Sequence, residues 1–167
     1  MDIEEKSWTF LTKMNSKRED VAAVEVNNKL FVAGGYNGVD ILSSTEFISS
    51  EGMVTAGPDL PSPCGDHCMT KLPSGNVIII GGSPSDSVGK SVIEFNPITN
   101  SYNDLPSLIS ARQDLACAVF YSPFHNGRPV ILAAGGFFET TAELLDYTKP
   151  NAKWTQSKSK FVISTSL

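Results

Sequence analysis

The sequence is poor in the residues that most enzymes and metal centres use. It has 2 histidines and 3 cysteines among 167 residues. Its 13 lysines and arginines are spread thinly and are outnumbered by 18 acidic residues, which gives a net charge of −5. Nucleic-acid-binding domains carry a clustered basic stripe, so we expect no nucleic-acid partner. An odd number of cysteines and the lack of an Asn-x-Ser/Thr acceptor are typical of a reducing compartment.

Long hydrophobic runs are also missing. The longest apolar stretch, VILAAGGFF (130–138), is far shorter than the roughly 20 residues that a membrane-spanning helix needs. The first residues, MDIEEKSW, are acidic, whereas a signal peptide begins with basic residues and continues with apolar ones. We therefore expect no membrane contact and a cytoplasmic location.

One short segment has the composition of a chemical site. It contains Cys64, Asp66, His67 and Cys68. If the segment is a strand, Cys64 and Cys68 share one face and His67 points to the other. Zinc needs about four ligands in a tetrahedral array, so we predict no metal site here. The two cysteines are interpreted as thiols that fill small buried or channel-lining positions.

What the sequence does have is a repeated glycine doublet. The doublets Gly34-Gly35, Gly81-Gly82 and Gly135-Gly136 recur at intervals of 47 and 54 residues. Each ends a short apolar run, LFVA, VIII or VILAA, that is too short for a helix and indicates a buried strand. Glycine tolerates a positive φ and close backbone approach, so the doublets predict one crowded turn made three times. Such periodicity indicates a repeat protein.

Alignment on the doublets shows further shared positions. An aromatic residue follows each doublet, and a large residue follows that aromatic. Further along come an arginine or cysteine and then an aspartate two residues later. These positions are Phe47, Phe95 and Tyr147; Trp8, Met53, Tyr102 and Trp154; Arg18, Cys64 and Arg112; and Asp20, Asp66 and Asp114.

These residues resemble the Kelch repeat family, and the segment IEFNPITNSY (93–102) is similar to its third strand, turn and fourth strand. The resemblance runs from Trp8 to Trp154. Departures are Met53 in place of an aromatic, Cys64 in place of arginine, and a longer segment around PFHNGRP (123–129). The resemblance implies an all-β propeller of four-stranded antiparallel blades.

The repeat pattern predicts a single Kelch-repeat region, 1–167, with units 8–52, 53–101 and 102–153 and a partial unit 154–167. We expect three full blades, an unpaired opening strand around Trp8, and a further blade's first strand in the tail KFVISTSL. Closed propellers have about four to eight blades, so the chain is expected to belong to a longer, six-bladed protein or to close a ring with a second copy. Open blade edges would favour self-association.

The resemblance places a partner site on loops at one face of the propeller. Arg18 and Arg112 occupy positions where Kelch adaptors carry arginines around an acidic peptide, and a guanidinium suits carboxylate recognition. Alternatively, these arginines pair with Asp20 or Asp114, or pack on a neighbouring blade. The loops between second and third strands add further predicted contacts, which are Tyr36, Asn37, Ser83 and Ser85.

The sequence thus favours a non-enzymatic interaction scaffold that binds a protein or peptide. By resemblance, it recruits a substrate for a ubiquitin-ligase adaptor or joins a cytoskeletal complex; an accompanying BTB domain would favour the adaptor. The alternative is a fragment of a propeller enzyme of galactose-oxidase type. No catalytic residue, metal or cofactor is predicted. The predicted structural residues of the repeat are Trp8, Gly34, Gly35, Gly81, Gly82, Tyr102, Gly135, Gly136, Tyr147 and Trp154.

Overall fold

The computed structural model of the protein describes residues 8–156, which form mainly β-strands. The described strands form three four-stranded antiparallel sheets, here called blades 1, 2 and 3 in chain order. Within each blade the strands lie side by side in the order in which the chain makes them. Helix is limited, in this part of the chain, to the four residues of α1 (Asp86–Gly89) and a 3-10 turn at Pro123–His125. The predicted all-β architecture of three propeller blades is confirmed.

The twelve strands have the following bounds. Blade 1 contains β1 (Ala22–Val26), β2 (Lys29–Ala33), β3 (Thr45–Ser49) and β4 (Val54–Ala56). Blade 2 contains β5 (Cys68–Lys71), β6 (Val77–Ile80), β7 (Val92–Asn96) and β8 (Ser101–Asp104). Blade 3 contains β9 (Ala116–Ser122), β10 (Arg128–Ala134), β11 (Ala142–Leu145) and β12 (Thr155–Gln156).

Short polar turns fix the register of the first two strands of a blade. In blade 1, Asn27 and Asn28 form a two-residue turn with φ of 50° and 61°. Two consecutive positive φ angles are typical of a type I′ hairpin, whose twist matches that of the flanking strands. The turn sets Val26 opposite Lys29, and Ala22 then lies opposite Ala33. The hydrophobic side chains of β2 are thereby fixed on one face of the blade.

The hydrophobic cores lie between blades. Side chains of β6 alternate in direction, so that Val77 and Ile79 join a cluster with blade 1 while Ile78 and Ile80 join a cluster with blade 3. This explains why the VIII run is apolar without alternation: both faces of β6 are covered. The first cluster includes the stacked rings of Phe31 and Phe95, whose centroids lie 4.7 Å apart.

The predicted repeat units that start at 53, 102 and 154 each begin within one residue of the start of a fourth strand. Each sheet therefore takes three strands from one unit and its last strand from the next. The expected opening strand around Trp8 is not formed, because residues 8–18 contain no strand and Trp8 is fully exposed. The tail KFVISTSL (160–167), where a further first strand was expected, lies outside the described residues.

Candidate functional site: the junction face

One end of the blades gathers most of the predicted site residues. The loops between second and third strands (34–44, 81–91 and 135–141) and the connections between blades (57–67 and 105–115) all meet there. Antiparallel order makes this unavoidable, since a second strand ends where the first and third strands begin. We call this end the junction face. The opposite end, which carries the short hairpin turns, is called the turn face.

The glycine doublets support the connections between blades. The N–H of Gly35 donates to the carbonyl of Cys64 over 2.8 Å, and the N–H of Gly82 donates to the carbonyl of Arg112 over 2.7 Å. A Cβ at Gly34 would overlap the Cys64 carbonyl, and a Cβ at Gly81 would overlap the Arg112 carbonyl. The first glycine of each doublet also has a φ of +60° to +66°. At the first two doublets the crowded turn predicted from the sequence is therefore the place where the next blade's connection crosses. At the third, a Cβ on Gly135 would meet no atom closer than 3.8 Å, so the prediction of three equally crowded turns is wrong there.

The Arg18 side chain is buried inside blade 1. Its guanidinium donates to the Glu46 carboxylate over 2.8 Å and to the carbonyl oxygens of Gly34 and Ser44 over 2.7 and 2.9 Å. The exposed fractions of the Arg18 and Glu46 side chains are 0% and 3%. Glu46 also accepts backbone N–H groups of residues 15 and 16, and these hydrogen bonds, together with Arg18, lower its pKa against the opposing effect of burial.

Arg112 repeats this arrangement in blade 3. Its guanidinium lies 3.0 Å from the Glu143 carboxylate and donates to the carbonyls of Gly135 and Thr141 over 2.7 and 2.8 Å. Neither side chain of the Arg112–Glu143 pair is exposed. The predicted contact of Arg18 and Arg112 with an acidic peptide therefore does not fit the structure. Their partners are third-strand glutamates rather than the aspartates considered from the sequence.

The other predicted contact residues do reach the junction face, with different roles. The Asn37 side-chain oxygen accepts two N–H groups of its own loop at 2.8 Å. The backbone of Tyr36 forms an antiparallel β-bridge with the backbone of Glu19. The Ser83 hydroxyl donates to the Asp66 carboxylate over 2.9 Å. Ser85 is exposed and lines a cavity of about 230 Å³ between blades 2 and 3.

Two residues that the sequence analysis did not single out dominate this face. Phe137 and Phe138 follow the third glycine doublet and are 58% and 91% exposed, with ring centroids 4.2 Å apart. Phe137 lines the same cavity as Ser85 and donates its N–H to the Gln113 carbonyl. Phe138 has a φ of +61°, a left-handed conformation that large side chains rarely adopt. The sequence placed both residues in one of the loops between second and third strands where partner contacts were expected, but it did not distinguish them from the rest of the loop.

A row of aspartates runs beside the connections between blades. Asp20, Asp66 and Asp114 all have left-handed backbones with φ of 53° to 55°. The N–H of Asp66 donates to the Asp20 carbonyl, and that of Asp114 to the Asp66 carbonyl, both over 2.9 Å. Burial raises the pKa of Asp114, and the neighbouring carboxylates raise it further. The aspartates thus link successive blades through their backbones.

The cysteine cluster is split by the structure. Cys64 lies in the connection before β5 and not on a strand with Cys68, so the predicted shared face is wrong. Cys64 is a buried thiol, as expected, and burial raises its pKa to about 12. Cys68, however, forms a disulfide with Cys117 in the first strand of blade 3, over a Cα–Cα distance of 5.9 Å. This pair was not predicted from the sequence, and a disulfide is not expected in a reducing compartment.

His67 is buried between blades 1 and 2 without a hydrogen-bond partner among the described residues. Burial lowers its pKa to about 4, although the Asp66 carboxylate acts in the opposite direction. Within residues 8–156, no group of three or more histidine, cysteine, aspartate or glutamate side chains is arranged to hold a metal ion. None of the helices in that range is long and apolar enough to cross a membrane.

The large residues of the repeat occupy corresponding places where they are buried. The Tyr102 hydroxyl donates to the Pro58 carbonyl over 2.8 Å, and the Trp154 indole donates to the Pro106 carbonyl over 2.6 Å. Each therefore ties a fourth strand to the connection that precedes its own blade. Tyr147 lies beyond β11, where it packs against the core between blades 2 and 3.

Comparison with known proteins agrees with this geometry. Residues 17–51, from the buried arginine of blade 1 to the end of its third strand, match the family model of the Kelch motif. This segment carries a Kelch motif. The spermatocyte protein spe-26 of Caenorhabditis elegans is 28% identical over 155 residues, which cover 90% of this chain. The match covers only 26% of that relative.

Two solved structures share the fold of the three blades. The structure of YjhT aligns with 86% of this chain and 52% of its own, at a TM-score of 0.65 and 14% identity. A novel fungal alcohol oxidase of the AA5 family, in complex with copper, aligns with 71% of this chain and 27% of its own, at a TM-score of 0.61 and 19% identity. At these identities the likeness concerns the fold alone.

Proposed function

We propose that this Kelch-repeat chain is a non-enzymatic protein-interaction module that binds its partner on the junction face. The observation that carries the proposal is the exposed Phe137–Phe138 pair beside a cavity of about 230 Å³. Aromatic residues are enriched at the centres of protein interfaces because they bury a large area at a small cost in side-chain entropy. A solvent-exposed pair gains nothing comparable for folding.

The backbone of Phe138 gives independent support. A bulky residue at a φ of +61° costs of order 1–3 kcal/mol, and such strain is retained mainly where function requires the residue. Asparagine or glycine would adopt this conformation at lower cost. The strained position therefore favours a role for the Phe138 ring itself. Because the ring is 91% exposed, we infer that this role is contact with a partner.

Two Phe→Ser variants, one on each face, test the proposal. Phe138→Ser should reduce partner capture at least about fivefold, because interface aromatics commonly contribute 1–2 kcal/mol or more. Phe124→Ser is the control, since Phe124 is 94% exposed on the turn face. Partners are first identified by affinity capture and mass spectrometry, and each is then titrated against both variants. Equal losses in both, or a loss in neither, would place the binding surface elsewhere.

The finer role belongs to the same proposal. A substrate recruiter for a ubiquitin ligase should co-purify with ligase subunits, whereas a cytoskeletal scaffold should sediment with filaments. A propeller enzyme of galactose-oxidase type remains the alternative, and its test is oxidation of alcohols by the copper-loaded full-length protein.

Self-association is a further expectation. Leu30 and Phe120 are 42% and 38% exposed on sheet surfaces, and light scattering of the purified chain measures whether copies associate.

The proposed cytoplasmic location can be tested with the disulfide. Disulfides persist in oxidising compartments and are rare in the cytosol. If the protein is cytoplasmic, mass spectrometry of alkylated extracts should find Cys68 and Cys117 as thiols in the cell. A fully bonded Cys68–Cys117 pair in rapidly alkylated cells would contradict the cytoplasmic assignment.

A further inference from the structure

Blade 2 lacks the buried ion pair of its two neighbours. The glutamates of blades 1 and 3 lie on the third strand, opposite the residue two positions before the glycine doublet: Glu46 faces Val32 and Glu143 faces Ala133. The corresponding position in blade 2 is Ile93, opposite Ile79. The arginine position is taken by Cys64, so both members of the pair are replaced together.

The oxygen atoms that hold a guanidinium are nevertheless retained. In blade 1 the Arg18 guanidinium donates to the Gly34 carbonyl and to both the carbonyl and the hydroxyl of Ser44. The residue equivalent to Ser44 in each of the other blades is identified by one backbone hydrogen bond: its carbonyl accepts the N–H of the first glycine of the doublet. In blade 2 that bond runs from Gly81 to Ser91, so Ser91 supplies the same carbonyl and hydroxyl.

Blade 3 has the same set of acceptor oxygens, with a threonine in place of the serine. The Arg112 guanidinium donates to the Gly135 carbonyl and to the carbonyl and hydroxyl of Thr141, over 2.7 to 2.8 Å. In blade 2 the Gly81 carbonyl accepts instead from the Cys64 thiol at 3.3 Å. A thiol is a weak donor, so it replaces little of what a guanidinium would supply.

The space that the guanidinium would fill is open in blade 2. A cavity of about 250 Å³ is lined by Cys64, Gly81, Ser91, Ile93 and, at the end of β8, Asp104. Pro61, also in the lining, takes the place of the residue whose N–H donates to the glutamate in the other blades, namely Asn15 or Ile109. Proline has no N–H, so only the second donor position, taken in blade 2 by the exposed Ser62, keeps a backbone N–H beside the cavity.

We propose that this cavity binds the guanidinium group of an arginine side chain from a protein partner. The guanidinium would donate to the Gly81 carbonyl and to the carbonyl and hydroxyl of Ser91, as the chain's own arginines do in the neighbouring blades. Asp104 is exposed and supplies negative charge at the lining. The net charge of −5 also favours a cationic segment as the occupant.

The inference rests on the proposed function only for the source of the arginine. Binding to the cavity is therefore tested without a partner. N-acetyl-arginine methylamide is titrated into the labelled chain while the amide signals of Gly81 and Ser91 are followed by NMR. The matched control ligand is N-acetyl-citrulline methylamide, which is neutral and nearly the same shape. Saturable shifts with the arginine compound, and at least about fivefold weaker ones with citrulline, are expected for a charge-assisted site.

Three variants make the result specific. Asp104→Asn keeps the fold and should weaken arginine binding at least about threefold, as expected for loss of one nearby charge. Cys64→Arg with Ile93→Glu should abolish the response, because the chain's own guanidinium then occupies the acceptors. If that double variant does not fold, Ser91→Ala removes one acceptor and should weaken binding in its place. Equal shifts with citrulline, or an unchanged response in the folded variants, would overturn the inference.

The two proposals can fail separately. If arginine binds the cavity but Phe138→Ser does not reduce partner capture, the cavity is a site and the assigned partner surface is wrong. If Phe138→Ser reduces capture but the arginine compound gives no saturable shift at Gly81 and Ser91, the cavity inference is wrong and the proposed function is retained.

Discussion

The buried Arg112–Glu143 pair offers a quantitative test of how the blades are held together. Replacing Arg112 by methionine leaves the Glu143 carboxylate, which has no exposed area, without its counter-ion. Removing one partner of a buried pair typically costs about 3–5 kcal/mol. Replacing Glu143 by isoleucine alone leaves the arginine charge uncompensated, and it also frees the N–H groups of Ile109 and Ser110, which the carboxylate accepts over 2.7 and 3.0 Å.

Replacing both residues together should cost much less than the sum. In blade 2, an equivalent sheet accommodates Cys64 and Ile93 at the two corresponding positions. Apolar residues of similar volume often substitute for a buried pair with little loss, because neither charge needs desolvation. We therefore expect an interaction energy of at least about 2 kcal/mol between Arg112→Met and Glu143→Ile. The two unpaired N–H groups set a residual cost of about 1–3 kcal/mol each in the double variant.

The assay is equilibrium unfolding in urea of the parent, both single variants and the double variant, followed by tryptophan fluorescence. Trp154 lies in the core next to blade 3, so its emission reports directly on this region. The m-values must agree between variants for the free energies to be compared. Additivity within about 0.5 kcal/mol would refute the reasoning, since the two side chains would then not act as a pair.

Three further predictions concern single positions. Gly81→Ala should destabilise by at least about 1 kcal/mol more than Gly135→Ala, because both glycines have a φ of +66° but only at Gly81 would the new Cβ overlap a backbone carbonyl; equal melting temperatures would contradict this. His67 has a folded-state pKa of about 4 against an ordinary 6.5, so stability is full above pH 6.5 and falls as the pH drops towards 4, by about 3 kcal/mol in all. His67→Leu should flatten that pH profile. Finally, thiol titration without reductant should find only Cys64, reacting upon unfolding because its buried thiol has a pKa of about 12; rapid labelling of the folded chain would contradict the structure.

The fold could be predicted because its main signals are local. The VIII run ends at Gly81-Gly82, and both features report on the backbone of one blade: a strand covered on both faces and a turn crossed by the next connection. Such constraints act on neighbouring residues and recur in every repeat. The number of strands in each blade, and the lack of long helices among residues 8–156, agree with what the Kelch resemblance implies.

The role of the arginines could not be predicted from position alone. A guanidinium before a first strand looks the same in sequence whether it faces a ligand or a glutamate. The useful signal was a correlation: glutamate stands on the third strand where Arg18 and Arg112 are present, and Ile93 stands there where Cys64 replaces arginine. That correlation becomes visible only once the strand register is known.

Two features that were not predicted depend on tertiary structure, one on how the blades stack and one on the conformation of a loop. The Cys68–Cys117 disulfide joins residues 49 positions apart, and its formation depends on how two first strands stack. The left-handed backbone of Phe138 likewise depends on the loop that carries it, since nothing in a Phe-Phe pair signals a positive φ. Local propensity carries no information on either feature.

Hydrogen–deuterium exchange of the complex measures whether a partner binds the junction face. We predict protection on binding in the loops 81–91 and 135–141, whereas the turns 97–100 and 123–127 on the turn face exchange at the same rate with and without the partner. Protection confined to the turn face, or unchanged exchange in both loops despite saturating partner, would contradict the account.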